Sequence, residues 1–221
     1  MLLTTAPPDD VGADTADRYE WQAMMATADV LALYFGLLDA AGNLSDDASF
    51  SVICEHHEDW AIVTGERSEI VSGKHREASV GPLSTYRQLL NDGGVLHLYR
   101  RWQALGQTPL CRLVTTCGLS GDGAKTARVC DRLRADSTAQ DGEILNVVSA
   151  LAGAISALSA STGSAASEPI DTVRDFLVSL RVDHSRPRRD QVPDLAGEKY
   201  GRPVAARLGH PNAGSAVFQA V

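Results

Sequence analysis

Two short segments hold the densest run of side chains able to do chemistry. The first is Cys54-Glu55-His56-His57-Glu58-Asp59-Trp60. The second is Glu69-Ile70-Val71-Ser72-Gly73-Lys74-His75-Arg76-Glu77. Gly65-Glu66-Arg67 lies between Val- and Ile-rich runs, so a hairpin is expected. Strand side chains alternate between faces. Ile70, Ser72 and Lys74 then share one face, and Glu69, Val71, Gly73 and His75 share the other. Folding Asp59 to Lys74 as a hairpin brings Asp59 near Ser72 and Lys74. A carboxylate there can hold Mg²⁺, and an ammonium can stabilise a phosphate or orient an attacking water. Taken alone, the pair also reads as a solvated ion pair on a surface hairpin, which contributes little. His56 and His57 are adjacent on an extended segment and point to opposite faces, so they are not expected to share an ion.

The elements that must position these residues follow from periodicity. Apolar side chains at Trp21, Met24, Met25, Ala28, Leu31, Leu33 and Phe35 predict a helix from Asp14 or Thr15 to Leu38. Asp17 and Glu20 suit its first turns. Strands are expected at Phe50 to Glu55, Asp59 to Thr64 and Glu69 to His75. Helices follow at Ser84 to Asn91 and Gly94 to Leu105, then a strand at Leu110 to Thr116. Two more helices are expected at 122–136 and 140–160. A short helix at Ile170 to Asp175 leads to a strand from Phe176 to Val182. A last helix, interrupted by Pro193 and Pro203, is expected from Arg189 to Leu208. This order predicts α/β architecture with one central mixed sheet flanked by helices.

The chain has 221 residues, enough to bury a core without disulfide or metal staples. Only 5% are aromatic, so the core must come mainly from Leu, Val, Ile and Ala. The net charge of −8 is unevenly placed. Residues 1–60 hold one basic and twelve acidic side chains (1 − 12 = −11), and the other 161 hold 19 basic and 16 acidic (19 − 16 = +3). A globally acidic chain is not an obvious nucleic-acid binder, but a locally basic face on the later part stays open. Cys54, Cys111, Cys117 and Cys130 make no C-x-x-C pair and read as reduced cytosolic thiols rather than a zinc site. The N-terminus lacks the basic and apolar regions of a secretory signal. Ile144 to Ser167 carries no charge, but its Ala, Ser and Gly content reads as a buried helix and a loose linker rather than a membrane span. The organisation expected is a disordered N-terminus at 1–14, one domain at 15–208 and an unstructured tail or linker at 209–221.

The string EHHEDWAIVTGERSEIVSGKHRE, with DRYEWQ upstream and DGGVLHLYRRW downstream, resembles the nuclease domain at the front of CBASS anti-phage effectors that carry a SAVED sensing domain. That domain belongs to the PD-(D/E)xK, restriction-endonuclease-like class. The resemblance covers Arg18 to Trp102 and continues more loosely to Leu208. It implies a restriction-endonuclease-like fold and metal-dependent hydrolysis of DNA phosphodiesters in a cytoplasmic defence system. Asp59 matches the family's first metal-binding acid, Lys74 its lysine, and Gly73 the residue whose carbonyl completes metal coordination. Ser72 stands where the family has a second acid, often Gln in defence branches. A neutral hydroxyl attracts a divalent cation less than a carboxylate does, and that departure bears on metal affinity. Glu20 sits in the helix from which many members supply another acid, and Gln22 matches a "YQ"-like element. Glu55 and Glu58 are possible substitute acids. The resemblance therefore implies Asp59, Gly73 and Glu20 on Mg²⁺ or Mn²⁺, and Lys74 at the phosphate. Arg76, Arg100 and Arg101 would lie along double-stranded DNA.

It further implies activity gated by oligomerisation, either of this chain or with a defence-complex partner. Little chain remains after Leu208 for such a sensor, so a piece of a longer protein, a split gene product or a subunit activated in trans is expected. The rival expectation keeps the fold but not the catalysis, as a DNA- or protein-binding module. Ser72 and the acidic N-terminal quarter motivate it. Arg100 and Arg101 also read plainly as solvated residues of a helix whose Leu98 and Trp102 face the core. A small-molecule hydrolase ranks last, because no nucleophile signature is present. Gly118 to Gly123 lacks the Lys-Ser/Thr ending of a phosphate-binding loop.

Overall fold

The computed structural model describes residues 13–39, 43–44, 49–56, 58–76, 78–161, 167–210 and 212–220. The expected disorder at 1–14 and the His57 reading fall largely or wholly outside them. Helix α1 (Ala13–Gly36) leads into a meander of β1 (Phe50–His56), β2 (Glu58–Thr64) and β3 (Arg67–Lys74). Helices α2 (Tyr86–Asn91) and α3 (Val95–Ala104) then cross to β4 (Leu110–Thr115). Helices α4 (Gly121–Ala135), α5 (Gly142–Ser161) and α6 (Ile170–Ser179) cross to β5 (Leu180–Asp183). The sheet runs in the order β1-β2-β3-β4-β5. The first two pairings are antiparallel, and the last two are parallel. This is α/β architecture with a five-stranded mixed sheet flanked by helices.

Both faces of the sheet are covered, and the alternation along its strands decides which side chain goes where. One core holds Ala61, Ile70, Cys111, Leu113 and Leu180 against Leu98, Trp102, Val129, Leu151 and Phe176 of the crossover helices. The other holds Trp60, Ile62, Val71 and Val114 against Trp21, Met25 and Leu31 of α1. Trp21 and Trp60 are fully buried. A buried aromatic of this size removes on the order of 150–250 Å² from water, and such residues dominate core energetics.

A charge network ties α1 to the sheet. Arg112 on β4 donates from Nη1 and Nη2 to the two oxygens of Asp29, at 3.1 and 2.6 Å. Its Nη2 also lies 3.1 Å from Glu69, and its Nη1 3.6 Å from Asp183. Trp60 Nε1 donates to the same Asp29 at 2.9 Å. Three strands and a helix therefore share one buried guanidinium, and β2 joins them through Asp29. Burial opposes its charge, but the Asp29, Glu69 and Asp183 carboxylates hold the proton on.

Several expectations shift in the C-terminal third. Phe176 begins no strand. Helix α6 runs to Ser179, because Val173, Phe176 and Leu177 recur at helical spacing and all three are buried. The expected helix from Arg189 to Leu208 is three pieces: α7 (Val192–Ala196), a π-helical turn (Gly197–Gly201) and α8 (Arg202–Arg207). Pro193 and Pro203 each sit in the first turn of a piece, where a missing N–H is harmless. Residues past Gly209 hold a helix, α9 (Gly214–Ala220), with Phe218 buried against the α1 side. A single aromatic in a Gly- and Ala-rich stretch left no period to read. Helix α5 is long and apolar enough to cross a membrane by length and composition, and 39% of its most apolar stretch is buried. Its Ile144, Val147, Leu151 and Ile155 lie in the crossover core, in line with the buried-helix expectation.

Replacing Arg112 with Met leaves three carboxylates without their shared cation. The expected loss is about 3–5 kcal/mol in urea denaturation at pH 7. A change under about 1 kcal/mol would show that the network does not hold α1 to the sheet.

Candidate functional site

The β2–β3 hairpin turns at Gly65, whose φ of +58° suits glycine. Its pairing runs from Thr64↔Arg67 to Trp60↔Val71. Beyond that register the strands are joined differently. The Gly73 amide donates to Asp59 Oδ2 at 2.6 Å. Lys74 Nζ lies 3.6 Å from the same oxygen. Gln22 of α1 donates from Nε2 to the Gly73 carbonyl at 3.0 Å. A cavity of about 360 Å³ opens here, lined by Tyr19, Gln22, Asp59, Gly73, Lys74, His75, Arg76 and Asp92.

Two glycines make this arrangement possible. A Cβ on Gly73 would fall 2.8 Å from the Trp60 ring and 3.3 Å from both Trp21 and Gln22. Both indoles are fully buried, so a side chain here would have to displace the Trp60 ring and crowd α1. Gly94 caps the start of α3 at φ +74°, and a Cβ there would sit 2.5 Å from Lys74 Cε and 3.3 Å from Ser72 Oγ. The lysine stem runs through the gap that Gly94 leaves. Sequence reading used Gly94 only as a helix start. The pair Gly93-Gly94 was the available signal that something must pass close to the backbone.

The electrostatics favour a carboxylate held under tension. Burial pushes the Asp59 carboxyl above the usual aspartate value, against the pull of Lys74 and of the Gly73 amide. Next to it in sequence, Glu58 is almost wholly buried, and its Oε1 lies 2.6 Å from His97 Nδ1 on α3. That carboxylate raises the His97 pKa. His97 did not stand out in the sequence, because a lone histidine on an amphipathic helix carries no pattern.

The expected site residues divide clearly. Asp59, Gly73, Lys74 and Arg76 line one cavity, together with Gln22. Ser72 is fully buried, lies outside the cavity wall, and its Oγ has no hydrogen-bond partner among the described residues. Glu20 is exposed and accepts from Arg189 Nη1 at 2.9 Å, so it does not join the cavity. Arg76 is anchored by its backbone to Thr116 and places Nη2 3.7 Å from Asp92. Arg100 is exposed on α3 and donates to Ser159 at 3.3 Å, while the neighbouring Arg101 is half-buried.

No family model matches the sequence, and no curated protein or solved structure matches it.

The residues of the cavity can be tested against the divalent cation that the sequence resemblance implies. Among the described residues, no group of three or more His, Cys, Asp or Glu side chains gathers to hold a metal. Asp59 keeps both of its contacts on Oδ2, so Oδ1 makes none within the described chain. The Gly73 carbonyl already accepts from Gln22, with one lone pair left. A cage made wholly of protein ligands is not what these residues build. They do fit the usual Mg²⁺ arrangement, in which one or two carboxylates hold the ion and water and substrate phosphate complete it.

The raised Asp59 pKa carries a stability consequence. A folded-state value above the unfolded one means that the native protein binds the proton more tightly. Stability from this group is present below the unfolded value, near pH 4, and is lost as pH rises through the folded one. Asp59→Asn keeps an acceptor for the Gly73 amide and removes the buried charge. Thermal unfolding from pH 3.5 to 8 should show the variant gaining on wild type as pH rises. A variant that loses ground towards neutral pH would contradict the assignment.

Proposed function

We propose that the chain is a restriction-endonuclease-like module that hydrolyses DNA phosphodiesters with Mg²⁺ or Mn²⁺. It would act on double-stranded DNA in the bacterial cytoplasm as part of anti-phage defence, gated by self-assembly or by a sensing partner. The observation that carries the reading is the meeting of Asp59 and Lys74, 3.6 Å apart, at the end of an antiparallel hairpin that continues into a parallel crossover. The order of helix, three-stranded meander, crossover helices and parallel strand supports the finer fold assignment.

The chain's own residues have separable roles in this reading. Asp59 presents Oδ1 for the cation, while Gly73 N–H and Lys74 fix the orientation of its carboxyl group. When bound, the divalent ion lowers the pKa of a water and offsets charge on the phosphate. Lys74 offers N–H donors to a non-bridging phosphate oxygen as negative charge builds there. Gln22 holds the Gly73 peptide in place, which sets the distance between Asp59 and Lys74. Arg76 lies on the cavity wall within reach of an adjoining phosphate, and backbone contact of that kind reads no sequence.

A second reading has its own observation. Ser72, at the place of the family's second acid, is sealed in the protein interior, and the Gly73 carbonyl is engaged by Gln22. A module that binds DNA or protein without cutting would show this pattern.

Supercoiled plasmid with Mg²⁺ or Mn²⁺ separates the two. The expected result is nicking or linearisation by wild type and a loss of about 100-fold or more in Asp59→Ala and Lys74→Ala. Plasmid retention without cleavage by wild type would favour the binding module. Equal cleavage by both variants would remove this cavity as the site.

A further inference from the structure

A second, larger cavity lies at the other end of the sheet. It measures about 500 Å³ and is lined by α1, by the β2–β3 turn region and by the starts of β4 and β5. Arg67, on its wall, begins β3, and Lys74 ends that strand. At about 3.3 Å per residue the two ends stand roughly 23 Å apart. The cavity is therefore separate from the Asp59–Lys74 site, and nothing in the proposed hydrolysis uses it.

Its lining has two halves. Leu33, Leu37, Ile62 and Leu110 form an apolar wall, and Leu37 and Leu110 are 37% and 48% exposed at the surface. Against them stand three arginines (Arg67, Arg112 and Arg181) and two acids (Asp29 and Glu69), with Asp183 beside Arg112 and Arg181, so the charges of the group balance (3 − 3 = 0). Both acids are committed to Arg112. Arg181 shares only Nε with Asp183, which leaves its two terminal nitrogens free of that bond. Arg67 makes no ion pair or side-chain hydrogen bond among the described residues. Arg112, nine-tenths buried behind them, has an Nε with no acceptor. Arg67 and the terminal nitrogens of Arg181 are thus the guanidinium groups left open on the lining, with the apolar wall and the Thr64 and Ser68 side chains sharing the same cavity. Guanidinium forks match phosphate and carboxylate oxygens two at a time. A cavity of this size with a mostly apolar wall and a few converging polar groups suits a small ligand.

We propose that this cavity binds a small molecule carrying one anionic group and a flat ring with apolar faces, the chemistry of a nucleoside monophosphate. The anion pairs with Arg67 and Arg181, and the flat ring lies on Leu37 and Leu110. A bare anion gains only the fork, and an uncharged nucleoside gains only the wall.

Calorimetric titration of the full chain with adenosine 5′-monophosphate tests this, with adenosine and inorganic phosphate titrated separately. Saturable binding of the nucleotide is expected, with adenosine and phosphate each at least about ten-fold weaker. Arg67→Gln and Leu110→Asp, both at exposed positions, should each weaken the nucleotide by about ten-fold or more, a loss of roughly 1.4 kcal/mol. Lys74→Ala should leave binding unchanged. No saturable binding, phosphate as tight as nucleotide, indifference to Arg67→Gln, or loss in Lys74→Ala would each overturn the proposal. The outcome is independent of plasmid cleavage, so this site and the hydrolytic reading can fail separately.

Discussion

The peptide of Gly73 is where the candidate site is held together. Its N–H goes to Asp59, its C=O to Gln22, and its Cα rests against the rings of Trp60 and Trp21. Each of these contacts needs the others. With a Cβ at Gly73, the Trp60 ring would have to shift and Trp21 and Gln22 of α1 would have to give way. Without the Asp59 carboxylate, a buried amide past the end of the β2–β3 ladder has no acceptor, and such a donor costs about 1–3 kcal/mol. The local departure from regular pairing is thus what aims a carboxylate and an ammonium at one space.

That constraint depends on a more distant one. Helix α1 approaches Gly73 along a path set by Asp29, about two turns beyond Gln22. Asp29 is held by Arg112 and by the Trp60 indole. Trp60 then spans the distance between the charge network and the site, since its N–H meets Asp29 and its ring lies under Gly73. The two cavities at opposite ends of the sheet are therefore joined by packed, hydrogen-bonded side chains. Contact alone does not amount to coupling, which needs an element with two arrangements that both sites bias.

Much of the sheet was legible because its strands obey simple patterns. Ile70, Ser72 and Lys74 alternate with Val71 and Gly73, and the structure puts Ile70 and Val71 in opposite cores, as a period of two requires. The meeting of Asp59 with Lys74 followed from counting across one short turn. What escaped reading depends on long-range packing. Glu20 and Gln22 are two residues apart in one helix, and only the docking angle of α1 decides that Gln22 faces Gly73 while Glu20 faces Arg189. Ser72 matched a motif position, but its burial depends on where α3 and Gly94 lie. The end of α6 was missed because Phe176 and Leu177 are equally good strand residues, and their helical period shows only when Val173 is counted with them.

The central claim is that Asp59 Oδ1 and Lys74 frame a place for a divalent ion and a phosphate. The most direct measurement is a crystal structure grown with Mn²⁺ and a short DNA duplex, with anomalous data collected at the manganese edge. The account predicts one anomalous peak at about 2.0–2.2 Å from Asp59 Oδ1, shared with a phosphate oxygen that Lys74 also contacts. Duplex bound elsewhere, or manganese sited away from Asp59, would contradict it.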